Sequence, residues 1–330
     1  MKQEQLYKIA LSIVVLLVFI LIPVFIRNMY QIGVITIIMV NVLLAASLWL
    51  ILTTGQVTLG HASFATIGGF MSAGMMTAYG MNSWLSLLIA VVTAGLVALV
   101  LGYITLRIKG IYFVIATLAL GEFIKIVFGM WEHPFGGLAG LIDLPPPTPI
   151  AIPGFPVIQF TTNTDLYYLT LVFVVIGIII LYRLYAGPIG RVFRSIRQAD
   201  ELAESVGINI MRYKILAFVV ACMLAGLAGV LYTYSTKYIS PRVLGLPQSV
   251  YYLICVAVGG EASVVGPILG AIGLGVFAEV IRPVKEFEPI IFGFLLIAAR
   301  LFFKSGLLGI LQKIWQLCVQ LKNRVISEHT

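Results

Sequence analysis

Long apolar stretches separated by short polar ones run along almost the whole chain. Predominantly apolar segments cover 7–26, 32–53, 56–80, 84–106, 111–130, 166–183, 213–236, 249–282 and 287–303. A helix needs about 20 such residues to cross the hydrocarbon core of a bilayer, so the pattern predicts an all-α, polytopic bundle. The 249–282 segment is too long for one crossing and too short for two full ones, and Gly259, Gly260, Gly266 and Pro267 lie in its middle. It is expected to form two short helices joined by a tight turn, which brings the total to about ten spans. The first segment reads as an uncleaved anchor. Its apolar run exceeds the core of a signal peptide, and Arg27-Asn28-Met29-Tyr30 offers no small-residue cleavage site.

Two interruptions stand out. The loop 131–165 contains Pro134, Pro145, Pro146, Pro147, Pro149, Pro153 and Pro156, which preset much of its backbone and predict a stiff cap. A short strand or hairpin is expected near Phe155–Thr162. The loop 187–212 holds the largest cluster of charge. Within it Val192, Phe193, Ile196, Ala199, Leu202, Ala203 and Val206 recur in steps that place them on one helical stripe. Arg194, Arg197, Asp200, Glu201 and Glu204 take the other faces, Arg197 and Glu201 stand at i,i+4 pairing distance, and Gly207 is placed to stop the helix in a left-handed conformation.

Composition sharpens the picture. Of 330 residues, 61% are hydrophobic and 10% charged, against about 45–50% and about 25% in soluble domains, which excludes a water-soluble globule and makes the whole chain one membrane domain. The net charge of +8 does not point to nucleic acid, because the basic residues are spread over short loops. With the N-terminus inside, fifteen Lys and Arg fall on the inner side and five (Arg27, Lys237, Arg242, Arg282 and Lys285) on the outer, leaving Lys125 within a helix. The positive-inside rule then places both termini in the cytoplasm, 131–165 outside and 187–212 inside. Cys222, Cys255 and Cys318 have no metal-ligand spacing and imply no disulfide framework. The chain carries no phosphate-cradling G-x-x-x-x-G-K-[ST] loop, no H-E-x-x-H and no G-x-S-x-G. Energy for any active process must come from another subunit.

Polar groups inside the apolar segments are the candidates for function. Gln56, Thr58, His61, Ser63, Thr66, Ser72 and Thr77 share 56–80 with Gly60, Gly68, Gly69, Gly74 and Gly80. One reading is close helix packing; the other is a broken helix beside a substrate path, its free N–H groups open to a carboxylate. Gly260-Glu261-Ala262-Ser263 echoes Gly60-His61-Ala62-Ser63 and hints at two related halves. Glu122 lies deep in 111–130 with Lys125 one turn on. It is either half of an ion pair that positions helices or a residue of the path. The loop helix likewise has two readings, lipid headgroups or a groove on a cytoplasmic protein. Its three acidic residues favour the groove, since anionic headgroups would repel them.

The stretch Arg194-Ser195-Ile196-Arg197-Gln198-Ala199-Asp200-Glu201-Leu202-Ala203-Glu204-Ser205-Val206-Gly207 resembles the EAA-type loop of ABC-importer permeases. Gly55-Gln56-Val57-Thr58-Leu59-Gly60-His61-Ala62-Ser63-Phe64, Thr117-Leu118-Ala119-Leu120-Gly121-Glu122, and Gly259-Gly260 with Gly266-Pro267 narrow the resemblance. Over about residues 40–310 the chain is similar to the M-type (LivM-like) permease of branched-chain amino-acid importers. Gln198-Ala199 departs from the Glu-Asn or Glu-Asp usual in that loop. The resemblance implies a bacterial-type inner-membrane permease that pairs with a paralogous H-type permease. It also implies two cytoplasmic ATPases, which bind the ATP, and an extracytoplasmic solute-binding protein. Arg194, Arg197, Glu201, Ala203, Glu204 and Gly207 would then couple to the ATPase. Gln56, Gly60, His61, Ser63, Gly68, Gly69, Glu122, Gly259 and Gly260 would line the path or pack its helices. Urea and short-amide importers use related permeases and stay open as alternatives. A stand-alone secondary transporter or channel is a rival of another class, short of intramembrane ionisable groups. A membrane-embedded enzyme lacks a nucleophile or metal constellation.

Overall fold

The computed structural model describes residues 17–26, 28–150 and 157–282, with Ile290, Ile291, Gly293, Phe294 and Ile297 beyond them. The expected first span up to residue 16, most of 287–303, and Cys318 lie outside the described residues. The helices are α1 (17–25), α2 (Met29–Leu52), α3 (His61–Tyr79), α4 (Ser83–Thr105), α5 (Ile111–Met130), α6 (Glu132–Phe135), α7 (Asn163–Ala186), α8 (Pro188–Gln198), α9 (Asp200–Ser205), α10 (Ile210–Thr236), α11 (Leu246–Gly259) and α12 (Val265–Val280). Among them α2, α4, α5, α7 and α10 are long and apolar enough to cross a membrane. The protein is a multi-pass helical membrane protein.

Polar residues at the boundaries set where these helices begin. Side-chain oxygens of Asn28, Asn82 and Asn209 accept from the backbone N–H of Tyr30 (3.0 Å), Trp84 (2.9 Å) and Arg212 (3.1 Å), capping α2, α4 and α10. Thr162 and Asp165 form a reciprocal capping box at the start of α7. Inside the described spans, several threonine and serine hydroxyls turn back onto their own helices, as Thr93 does to the Ile89 carbonyl at 2.7 Å, which pairs the hydroxyl within apolar surroundings.

Helix α10 is the hub and packs against α2, α3, α4 and α7. Its approach to α3 is backbone to backbone. A Cβ added at Gly68 would stand 2.1 Å from the Gly226 carbonyl oxygen, and one at Gly229 would stand 1.9 Å from that of Ala65. In lipid there is no hydrophobic drive between helices, so small residues that allow such approach supply the packing energy.

The segment expected to split does so. Helix α11 has 14 residues and α12 has 16, or about 21 and 24 Å at about 1.5 Å per residue, each short of a hydrocarbon core about 30 Å thick. Gly260 turns between them at φ 105°. The pair is zipped by glycine: a Cβ at Gly259 would lie 1.9 Å from the Gly266 carbonyl oxygen, and one at Gly270 would lie 1.9 Å from that of Cys255.

The proline-rich loop is held by polar contacts as well as by its prolines. Thr148 donates its N–H to Ser83 Oγ (2.8 Å) and its hydroxyl to Asn82 Oδ1 (2.8 Å), while Trp84 Nε1 donates to the Thr148 carbonyl (3.1 Å). The fold is not wholly α. Strand β1 (Leu141–Ile142) pairs antiparallel with β2 (Tyr238–Ile239), stitching this loop to the end of α10. The hairpin expected near 155–162 is one antiparallel bridge, Ile150 with Ile158; residues 151–156 lie outside the described set.

Candidate coupling and transport site

The four stretches that carry the family resemblance, far apart in sequence, are joined by a run of contacts that leads from the 194–207 loop to the middle of α5. The turn from α2 into α3 brings Gly60 against α5, where an added Cβ would stand 2.3 Å from the Thr117 carbonyl oxygen. One turn along each helix, a Cβ at Gly121 would stand 2.9 Å from Ser63 Oγ. From α11, Ser249 Oγ accepts the Ala62 N–H at 3.1 Å. Close by, a Cβ at Gly55, which sits at φ 81°, would lie 3.5 Å from Arg197 Cα.

Gln56, Gly60, His61, Ser63, Gly68 and Gly69 are all interior. His61 is fully buried, with Nε2 2.8 Å from Ser47 Oγ. The Ser47 hydroxyl also lies 3.0 Å from the Leu44 carbonyl, and where it donates there its oxygen can accept from an Nε2–H of His61. Nδ1 is buried without a hydrogen-bond partner. At the start of α3, Ala62 N–H is taken by Ser249, Ser63 N–H by the Gly60 carbonyl, and Gly60 N–H by Thr58 Oγ1. Those amides bond within the bundle. Gly68 and Gly69 face α10 and Ile239; Gly259 faces Gly266 and Gly270.

Glu122 and Lys125 do form the i,i+3 ion pair, at 2.8 Å with both side chains 39% exposed. Helix α5 buries only Phe113, Thr117, Gly121, Ile124 and Phe128. The charges ride on its outward side with the exposed Phe123 and Ile126.

The loop that sequence periodicity predicts as one helix is two. Ala199 is extended (φ −159°, ψ 101°) and separates α8 from α9. Asp200, next in the chain, is drawn onto Lys214 of α10 at 2.8 Å, with Lys109 of the α4–α5 turn 4.0 Å from the same oxygen. Lys214 is only 4% exposed, and a buried ammonium demands such a partner. The stripe is therefore divided. Phe193, Ile196 and Ala203 turn into the protein, while Leu202 and Val206 are 70% and 75% exposed, beside exposed Glu201 and Glu204. Arg197 does not meet Glu201; its Nη2 bonds Glu261 Oε2 in the α11–α12 turn. The stop is as expected. Gly207 sits at φ 84°, and the N–H groups of Gly207 and Ile208 return to the Glu204 (2.9 Å) and Ala203 (3.1 Å) carbonyls in a Schellman closure.

Spacing could not find several of the residues at this junction. Trp49 Nε1 donates to the Glu261 carbonyl (2.9 Å), the Tyr185 hydroxyl donates to that of Ala262 (3.3 Å), and the Trp49 and Tyr185 rings stand 4.6 Å apart. Arg194 lies 4.7 Å over the Tyr185 ring. The only sequence signal among them was the Gly-x-Ala-Ser echo around Glu261.

Close-packed glycines, a broken hairpin and a braced amphipathic loop together characterise this helical membrane bundle. The family described as branched-chain amino acid transport system / permease component matches residues 30–300, and the chain belongs to it. It is 29% identical over 272 residues to the high-affinity branched-chain amino acid transport system permease protein LivM of Escherichia coli (strain K12). It is 27% identical over 278 residues to the protein of the same name from Salmonella typhimurium (strain LT2). Each match covers 77% of this chain and 64% of the relative, so the chain spans less than two-thirds of either relative's length. No solved structure matches.

Proposed function

We propose that this chain is the M-type permease subunit of an ATP-driven importer, resident in a bacterial-type inner membrane and carrying branched-chain amino acids. It would cross about ten times with both termini in the cytoplasm. An extracytoplasmic solute-binding protein would deliver substrate, an H-type paralogue would form the other half of the pore, and two cytoplasmic ATPases would drive alternating access. The domain itself supplies no ATP chemistry. Arg194–Gly207 would be the coupling loop, with the outward face of α9 seated in a groove on the ATPase. The outward side of α5 would face the paralogue across the path, because a charge in mid-bilayer costs about 2.5–3.5 kcal/mol on insertion scales and lipid tails give Glu122 and Lys125 nothing in return.

The observation that carries the reading is α9. Leu202 and Val206 are exposed apolar anchors between exposed acids, and the helix bearing them is braced from behind by Asp200, Lys214 and buried Ala203. A lipid-seated helix needs no such brace, and its acids would oppose anionic headgroups. Ala203 then serves the seat of the helix, Arg197 turns inward to Glu261, and Leu202, Val206, Glu201 and Glu204 present to the partner.

The test is co-purification. Leu202→Asp with Val206→Asp should leave the permease inserted and monodisperse, since both side chains point away from the bundle, yet abolish ATPase retention and substrate-stimulated hydrolysis. An ATPase that stays bound and stimulated would mean that α9 is not the docking element.

A further inference from the structure

The bond between Arg197 and Glu261 joins parts of the chain with no sequence proximity. Arg197 closes the last turn of α8, in the loop proposed to receive force from the ATPase. Glu261 stands in the turn between α11 and α12. Around this pair the contacts run one way. The turn's carbonyls at Glu261 and Ala262 are held by Trp49 from α2 and Tyr185 from α7. The backbone at Arg197 passes so close to Gly55 that a side chain there would sit against it. Arg194 is fastened separately, over the Tyr185 ring and with its guanidinium donating to the Tyr185 carbonyl at 3.4 Å. Among the described residues, Arg197–Glu261 is thus a side-chain link from α8 to the hairpin, whereas Arg194 ties α8 to α7.

The hairpin is built to pass on a push. Its two short helices touch through glycine backbone along Gly259, Gly266 and Gly270, leaving no soft side-chain layer to absorb displacement. It reaches the start of α3 through Ser249 and Ala62, and α3 meets α5 at Gly60 and Thr117. A movement of the coupling loop would therefore arrive at the helix that carries Glu122.

We propose that Arg197 and Glu261 are positioning residues that make the α11–α12 hairpin the element driven by the coupling loop. This rests on the importer reading above and adds to it the internal receiver of the motion. Arg197 then acts mainly inward, on its own chain, and not as a contact to the ATPase.

The experiment uses the complete transporter, co-expressed with its neighbouring ATPase and binding-protein genes and reconstituted in proteoliposomes. Leucine taken up per ATP hydrolysed is the readout. Glu261→Gln and Arg197→Gln should each retain the ATPase and hydrolyse ATP, while uptake per ATP falls at least fivefold. The exchange Arg197→Glu with Glu261→Arg should recover at least half of the lost ratio. As a measure independent of uptake, a cysteine at Ser263 should change its labelling rate at least threefold on adding a non-hydrolysable ATP analogue, and should lose that response in Glu261→Gln. An unchanged ratio in Glu261→Gln overturns the proposal. So does release of the ATPase by Arg197→Gln alone, which would make Arg197 a docking contact. Where the unaltered chain retains no ATPase at all, the importer reading itself falls, a failure distinct from these.

Discussion

Helices α2 and α4 are both strongly apolar spans of similar length, yet they live in different surroundings. Over their most apolar 18 residues, 72% of α2 is buried but only 28% of α4. From Ile38 onward helix α2 is enclosed almost all round and buries large residues, among them Leu43, Leu44, Leu48 and Trp49. Helix α4 buries Ser83, Ser86, Ala90, Ala94, Gly95, Ala98, Gly102 and Thr105, while Leu85, Leu88, Val92, Leu96, Leu99 and Val100 face outward. In water that arrangement would be inside out. In a bilayer a leucine gains little by leaving lipid for protein, so the packing face is selected by size and the large residues are left to the solvent that suits them. Hydropathy reports which solvent a helix occupies; the spacing of small residues reports where it touches.

The strongest way to break this contrast is to enlarge the small face. Gly68→Leu on α3 or Gly229→Leu on α10 places a branched side chain where even a Cβ would overlap backbone by more than 1 Å of normal contact. Overpacking of well-fitted sites costs about 1–3 kcal/mol and occasionally more; with backbone on the far side, relief is unavailable. No monodisperse permease should survive size-exclusion chromatography in mild detergent. Full yield from either variant would mean that α3 and α10 do not touch.

Next in size is Asp200→Ala. It removes the close partner of buried Lys214, and breaking a buried pair from one side costs about 3–5 kcal/mol when the remaining charge is fully enclosed. Asp200 is itself 23% exposed, so a loss toward the lower end is expected. Thermal unfolding should fall by several degrees, and Asp200→Ala combined with Lys214→Met should recover most of it. Equal melting of both variants would show that this pair does not brace the loop.

Labelling then tests the sidedness of the two loops. Cysteines replacing Pro146 and Ser205, both exposed, should react with an impermeant thiol reagent from outside and from the cytoplasm, respectively. Buried Cys222 and Cys255 give little background, and Cys318 is replaced by serine beforehand. The opposite pattern would invert the topology and remove the docking argument with it.

The smallest effects sharpen the comparison from its other side. Leu96→Ala on the outward face of α4 deletes as much side chain as a core truncation, which costs about 2–5 kcal/mol in a water-soluble protein, yet here the melting temperature should stay within about 2 °C of the parent. Gly207→Ala should also be mild. Its added Cβ meets nothing within 4 Å, and the remaining cost is the left-handed backbone, about 1 kcal/mol. A loss from Leu96→Ala as large as from a core leucine would mean that a partner chain covers this face.

Much of the fold was legible because a few residue types act locally. The broken hairpin followed from Gly259, Gly260, Gly266 and Pro267 in a segment of the wrong length. The left-handed stop followed from Gly207, and the Glu122–Lys125 pair from one helical turn. Periodicity predicts a single loop helix and cannot see that Asp200 pairs with Lys214, a residue of the next span, with the chain breaking at Ala199 just before it. Arg197 was assigned a partner within its own helix for the same reason, since Glu261 is near only after the bundle closes.

The amino-acid sequence by itself determined that this chain lives in lipid, how its apolar segments divide, which loop carries the charge, and which family's motifs it bears. Those properties reside in composition and in contacts a few residues apart. Tertiary structure alone decided that the four motifs are joined by one run of contacts, that Ala203 faces inward while Leu202 and Val206 face outward, and that Arg197 reaches the hairpin. Each depends on which helices are neighbours, and among spans of nearly equal hydropathy that choice is made by backbone fit at glycine and alanine and by ion pairs formed across the bundle.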